Sequence, residues 1–109
     1  MEIQKIAAFS KGDEGGNPAG VVLLDKPIDE KEMARVAAEV GFSETVYAVS
    51  QDETGRKWRA RYFSPETEVP FCGHATIALG AVLGQRSGAG VFELALNDGV
   101  ISVDAQPSE

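Results

Sequence analysis

The residues best suited to chemistry lie close together in the segment EVPFCGHAT, residues 68–76. The chain's only cysteine, Cys72, and its only histidine, His74, are separated there by Gly73. A thiol just before a helix can act as a nucleophile or a base, although cysteine is more often a small buried apolar residue. His74 would lie in the first helical turn, where free backbone N–H groups can hold a carboxylate. The alternative is that His74 only packs at the helix start.

A second candidate is Glu44, in the stretch GFSETVYAV. It stands at the start of an apolar strand, directly after the end of a helix. Burial there would raise the pKa of its carboxyl, as a general acid or base near neutral pH requires. The alternative is a glutamate in water on an edge strand. The glycine-rich segment 15–20, GGNPAG, is interpreted as a loop that can approach a ligand closely, or as a plain turn.

Composition and charge exclude several functions. A formal net charge of -7 argues against binding to nucleic acid or to anionic membranes. Neither a transmembrane run nor a signal peptide is recognisable, and a single cysteine favours the cytoplasm. A metal site is not expected, because Cys72 and His74 provide two ligands and the chain has no other cysteine or histidine.

The elements that position these residues follow from hydrophobic periodicity and turn chemistry. One helix is predicted from an apolar stripe every three or four residues, with Asp29 as N-cap, Glu32 completing a capping box and Gly41 at the end. A second helix, Gly73 to Arg86, is apolar nearly all round and therefore predicts complete burial. Strands are predicted at residues 2–9, 21–24, 43–50 and 56–63, with a loop at 64–70 and a closing hairpin at Asn97-Asp98-Gly99.

These elements favour an α+β fold in a single domain, residues 1–109. Hairpins predict a mostly antiparallel β-sheet. The simplest arrangement curls this sheet around the central apolar helix and packs the amphipathic helix outside.

Taken in order, the segments GNPAGVVLL, DEKEMARVAAEVGFSETVYAV and RYFSPETEVPFCGHATIALGAVL resemble the PhzF-like family of phenazine-biosynthesis isomerases. The resemblance implies a diaminopimelate-epimerase-like fold of two similar halves, with the active site in the cleft between them. It implies isomerisation of a small carboxylate-bearing substrate, such as a dihydro-hydroxyanthranilate, without cofactor or metal. Glu44 matches the proton-transferring glutamate, while Asn17, Gly73 and His74 match residues near the substrate. Cys72 stands where related epimerases and racemases carry an acid/base cysteine.

The match covers only the N-terminal half of such a protein, so the cleft needs a second wall. We expect a partner chain carrying the C-terminal half or, as the second choice, a homodimer. Large uncovered apolar surfaces mark such interaction sites. Two other functions remain open: a non-catalytic small-molecule-binding or structural half-domain, and a Cys72-dependent epimerase or racemase.

Overall fold

The computed structural model describes residues 3–7 and 18–105 of the 109-residue chain. The predicted succession of strands and helices is confirmed, with one addition. The segment 64–70, predicted as a loop, contains a two-residue strand. In chain order the elements are β1 Gln4–Ala7, β2 Pro18–Leu24, α1 Glu30–Val40, β3 Glu44–Ser50, β4 Lys57–Phe63, β5 Glu68–Val69, α2 Gly73–Ser87, β6 Gly90–Ala95 and β7 Val100–Ala105.

The strands form one sheet in the order β1-β2-β3-β4-β6-β7, with β5 paired to β4. Four of the six pairings among the described strands are antiparallel, which confirms the prediction of a mostly antiparallel sheet. The two parallel pairs, β2–β3 and β4–β6, each enclose a helix, because parallel neighbours need a crossover connection. The crossover through α1 places Glu44 opposite Ala19 at one end of the sheet.

Helix α1 follows local sequence rules at both ends. Asp29 caps it by accepting a hydrogen bond from the backbone N–H of Lys31 at 3.4 Å. Gly41 ends it with a φ of 71°, the left-handed conformation that glycine tolerates. Glu32 does not complete the expected capping box, since its carboxylate instead binds the guanidinium of Arg35 at 2.6 Å.

The sheet separates two apolar clusters, one under each helix. Met33 and Ala37 of α1 pack with Tyr47 of β3 in the smaller cluster. Val46 and Ala48 of the same strand belong to the larger cluster with α2, because successive side chains of a strand point to opposite faces. Helix α2 contacts β2, β3, β6 and β7, so the sheet curls around it, as predicted.

The prediction of complete burial for α2 is wrong for one stripe of the helix. Seven of its 15 residues are buried, but Ile77 is 50% exposed and Ala81 is also exposed. This stripe faces outward because the sheet ends at β7 on one side and at β1 on the other. Gly80 faces β7, where an added Cβ would lie 3.0 Å from a methyl of Val103. No helix within residues 3–7 and 18–105 has both the length and the apolar character needed to cross a membrane.

The far end of α2 is held by Arg56, the residue just before β4. Its guanidinium donates hydrogen bonds to the carbonyls of Ser87, Gly88 and Ala89 at 3.1–3.3 Å. The same group stacks on the ring of Phe92 at 4.5 Å. A cation at this position satisfies carbonyls that a helix end leaves without partners.

Candidate active site

Glu44 lies at the start of β3 and is half-buried. Burial, the larger cause, raises the pKa of its carboxyl, and the charge of His74 acts in the opposite direction. The predicted direction of this shift is therefore confirmed. Its Oε1 is buried and has no hydrogen-bond partner among the described residues. A desolvated carboxyl oxygen without a partner is costly to maintain, so its presence marks Glu44 as a candidate functional residue.

The start of α2 brings the other candidates together. The helix begins at Gly73, which confirms that His74 lies in its first turn. Cys72 is the N-cap residue, but its side chain makes no capping hydrogen bond. Instead its Sγ lies 3.4 Å from Nδ1 of His74. The other ring nitrogen, Nε2, is buried without a hydrogen-bond partner within the described ranges.

Gly73 is exposed at this helix start. A Cβ added to it would meet nothing within 4 Å, so packing within the described chain does not require glycine there. The first N–H groups of a helix have no intrahelical acceptor. Because the Cys72 side chain leaves them uncapped, they form an open position for an anion beside His74.

Glu44 and His74 interact electrostatically, which indicates that the start of β3 and the start of α2 lie near each other. Asn17, the remaining candidate, lies outside the described residues. Within the described ranges, no group of three or more His, Cys, Asp or Glu side chains is arranged to hold a metal ion.

Two buried hydroxyl groups at this site were missed by sequence reasoning. Tyr62 of β4 is 1% exposed, and its hydroxyl lies 2.7 Å from Oγ1 of Thr76 in α2. Thr76 in turn donates to the carbonyl of Cys72 at 2.8 Å. Tyr62 lies on the buried face of β4 with Trp58 and Ala60, as the alternation of apolar and charged residues in RKWRARYF indicates. No local pattern indicated that its hydroxyl would meet Thr76.

Comparison with known proteins identifies the family and the fold of the chain. A family model described as "Phenazine biosynthesis-like protein", PhzC-PhzF, matches residues 6–109. The chain belongs to the PhzC-PhzF family. The predicted resemblance is thereby confirmed.

Curated relatives of this PhzC-PhzF chain include proteins named as isomerases. An uncharacterized isomerase of Pseudomonas aeruginosa is 41% identical over 83 residues, which are 76% of this chain and 31% of that protein. The mouse phenazine biosynthesis-like domain-containing protein 2 is 39% identical over 84 residues, which are 72% of this chain and 29% of that protein. The chain thus spans about a third of the length of these relatives.

Solved structures support the same fold. A PhzF-family phenazine biosynthesis protein of Enterococcus faecalis superposes with a TM-score of 0.85 at 31% identity, covering 95% of this chain and 40% of that one. A Pseudomonas aeruginosa protein named a "Predicted Epimerase" gives a TM-score of 0.82 at 24% identity, covering 92% of this chain and 36% of that one. The second likeness concerns the fold alone. Together they confirm the predicted epimerase-like α+β architecture.

Proposed function

We propose that this chain is a subunit of a PhzF-like isomerase that moves a proton between two carbons of a small carboxylate-bearing substrate. Glu44 is the catalytic acid and base in this proposal. The observation that carries it is the Glu44 carboxyl, which is half-buried, has a raised pKa and leaves Oε1 without a partner among the described residues. A carboxyl in that state is available to a substrate proton.

The proton transfer balances within the substrate and Glu44. The carboxylate removes a proton from one carbon, and the electron pair of that C–H bond moves into the conjugated system of the substrate. The protonated carboxyl then delivers the proton to a second carbon, so the product has the same formula as the substrate. A raised pKa favours this exchange, because the acid and base forms are then closer in free energy near neutral pH.

The start of α2 is suited to orienting the substrate. Its uncapped N–H groups and the positive end of the helix dipole favour a carboxylate there. Gly73 leaves space for the substrate to approach the backbone, and His74 contributes the buried Nε2. Asn17 completes the proposed set of substrate contacts.

A second polypeptide half closes the cleft in this proposal. The relatives are about three times as long as the aligned region, which supports the proposal of a further half. The uncovered stripe at Ile77 and Ala81 supports association, because exposed apolar surface beside a core favours burial by a partner. A separate chain carrying that half is the first choice, and a second copy of this chain is the alternative.

The test begins with the native assembly isolated from its source, whose mass and component chains show whether a second half is present. That assembly, with Glu44→Gln, is then supplied with a dihydro-hydroxyanthranilate in deuterated water. We expect turnover and deuterium incorporation to fall by about 10²–10⁴-fold, the usual contribution of a positioned acid and base. Mass spectrometry of the product measures both.

Glu66→Gln is the matched control, because Glu66 is an exposed carboxylate in the loop before β5. It should keep the wild-type rate. Full activity in the Glu44→Gln assembly would refute the assignment of Glu44.

Two other functions have specific support. A non-catalytic half-domain is the first of them, since the aligned region is 31% of the Pseudomonas aeruginosa relative. Such a half-domain would bind anthranilate-like acids tightly without turnover. A Cys72-dependent epimerase is favoured by the contact of 3.4 Å between the thiol and His74. Alkylation of Cys72 would abolish that activity, whereas the Glu44 mechanism tolerates loss of the free thiol.

A further inference from the structure

Two buried hydroxyl groups connect the sheet to the start of α2. The hydroxyl of Tyr62 lies 2.7 Å from Oγ1 of Thr76, and that hydroxyl lies 2.8 Å from the carbonyl oxygen of Cys72. Tyr62 is 1% exposed and Thr76 is 8% exposed, so water does not compete for these bonds. Two hydroxyls and one carbonyl are therefore linked by hydrogen bonds inside the larger apolar cluster.

The direction of these hydrogen bonds is determined by chemistry. A carbonyl oxygen only accepts, so the Thr76 hydroxyl donates its single proton to Cys72. Thr76 must then accept from the Tyr62 hydroxyl. Burial raises the pKa of Tyr62, so it stays protonated and remains a donor at neutral pH. Hydrogen bonds that run in one direction polarise and strengthen each other.

This connection joins the two elements that carry the candidate site. Tyr62 pairs with Val46 in β3, two residues beyond Glu44. At the other end, the Cys72 carbonyl is fixed in the extended residue whose Sγ contacts His74. The hydroxyls therefore tie the strand pair that holds Glu44 to the turn that holds His74.

The two hydroxyls are not needed merely to satisfy a backbone group. The Cys72 carbonyl already accepts the N–H of Thr76 at 3.0 Å, as in any helical turn. Six buried residues other than Thr76 already pack α2 onto the sheet. Phenylalanine and valine would fill the same space, and replacing both partners of a buried hydrogen bond with apolar groups of the same shape is often nearly neutral for stability. Their polarity therefore calls for a local explanation.

We propose that Tyr62 and Thr76 are positioning residues, whose ordered hydrogen bonds set the geometry of Cys72 and His74 relative to Glu44. This inference rests on the proposed function for its catalytic meaning. Neither hydroxyl touches the substrate. Their effect passes through the Cys72 carbonyl and the first turn of α2.

The chain provides its own probes, because it has a single histidine and a single cysteine, both at this site. The imidazole proton signal of His74 and the alkylation rate of Cys72 are each followed against pH in the full chain. The titratable groups that interact with His74 are Glu44 of β3 and Cys72 of its own turn, and Tyr62 of β4 interacts in turn with Cys72. In Tyr62→Phe and Thr76→Val we expect the alkylation rate of Cys72 to change by about threefold or more, the equilibrium effect of losing one hydrogen bond, and the His74 signal to change with it.

Tyr47→Phe is the matched control. Tyr47 is the only other tyrosine, is 0% exposed, and donates a single hydrogen bond of 2.7 Å to the carbonyl of Met33 on the opposite face of the sheet. The Tyr47→Phe variant also loses a buried phenol hydroxyl, but on the face of the sheet away from His74 and Cys72. It should therefore keep both wild-type profiles. Thr76→Ser retains the hydroxyl and should restore them.

Unchanged profiles in both Tyr62→Phe and Thr76→Val would overturn the proposal, as would equal changes in Tyr47→Phe. If Tyr62→Phe fails to fold, Thr76→Val decides the question, because it replaces the hydroxyl of threonine with a methyl group of nearly the same shape, and Thr76→Ser is its control because it keeps the hydroxyl. These measurements need no turnover. An active Glu44→Gln assembly would therefore refute the proposed function while leaving the positioning result to stand or fall by its own probes.

Discussion

The two helices of this chain are built in opposite ways. Helix α1 is amphipathic, with a side-chain cap at Asp29 and a glycine end at Gly41. Its outer face carries the exposed Arg35, paired with two glutamates. Helix α2 is apolar on most sides, and its N-cap residue Cys72 makes no side-chain capping bond. It therefore depends on its surroundings for stability.

The two helices also differ in what they leave without a partner. Helix α1 satisfies its own N-terminus and buries only Met33 and Ala37. Helix α2 buries seven residues, yet its first N–H groups stay available and the stripe at Ile77 remains uncovered. A helix that leaves its N-terminus and one face unsatisfied is adapted to binding something else. If stability resides mainly in the packing of α2 and side-chain capping mainly in α1, substitutions in the two helices should have different effects.

The largest effect should come from the two cores. Leu79→Ala removes a 0% exposed side chain from the large cluster around α2, and Met33→Ala removes a 1% exposed side chain from the small cluster around α1. Both should lower the free energy of unfolding, by about 3–4 kcal/mol for Leu79→Ala and about 2 kcal/mol for Met33→Ala. Urea denaturation measures both, and a larger loss for Met33→Ala would contradict the comparison.

A smaller effect should distinguish the two N-caps. Asp29→Ala removes the side-chain cap of α1 and should cost about 1 kcal/mol. Cys72→Ser supplies a better capping side chain at an extended N-cap residue, with φ -145° and ψ 119°, and should add about 0.5 kcal/mol. Thermal unfolding of the two variants beside wild type measures this. A loss of stability in Cys72→Ser would mean that the thiol contact with His74 outweighs a helix cap.

The smallest effect concerns two half-buried glutamates, each at the start of a strand. Glu44 has a raised pKa because of burial, so the folded state binds its proton more tightly and the stability contribution falls as pH rises above about 4.3. Glu68 has a lowered pKa, chiefly because Arg61 donates hydrogen bonds to it, so its contribution is present above that pH and is lost on acidification.

Replacing each with glutamine should therefore change stability in opposite directions at pH 7. Glu44→Gln should stabilise and Glu68→Gln should destabilise, each by about 0.5 kcal/mol or less, with both differences shrinking toward pH 4. Urea midpoints measured between pH 4 and pH 7 reveal the two slopes. Slopes of the same sign would show that Glu44 is not desolvated in solution.

Features governed by local rules could be predicted from the sequence. The α1 boundaries follow from a cap, a stripe and a terminal glycine, all within one short segment. The final hairpin follows from Asn97-Asp98-Gly99, which lies between β6 and β7 as expected. The inward direction of Tyr62 follows from the alternation of β4.

Features set by tertiary contact could not be predicted. Strand β5 exists only through its pairing with β4, and two residues carry no periodicity. A helix that is apolar all round gives no indication that Ile77 would be the uncovered position. The hydrogen bond between Tyr62 and Thr76 joins residues 14 apart on different elements, and its existence depends on how α2 is seated on the sheet.

Arg56 anchors the C-terminal end of α2, and the candidate site lies at the opposite end of the helix. Its C-terminal end is clamped to a guanidinium through three carbonyls. A helix of 15 residues is about 22 Å long, so a tilt of about 3° around that clamp would displace its first turn by about 1 Å. A shift of that size is enough to misalign reacting groups. Substitution of Arg56 should therefore displace the first turn of α2, where His74 lies, more than the rest of the helix.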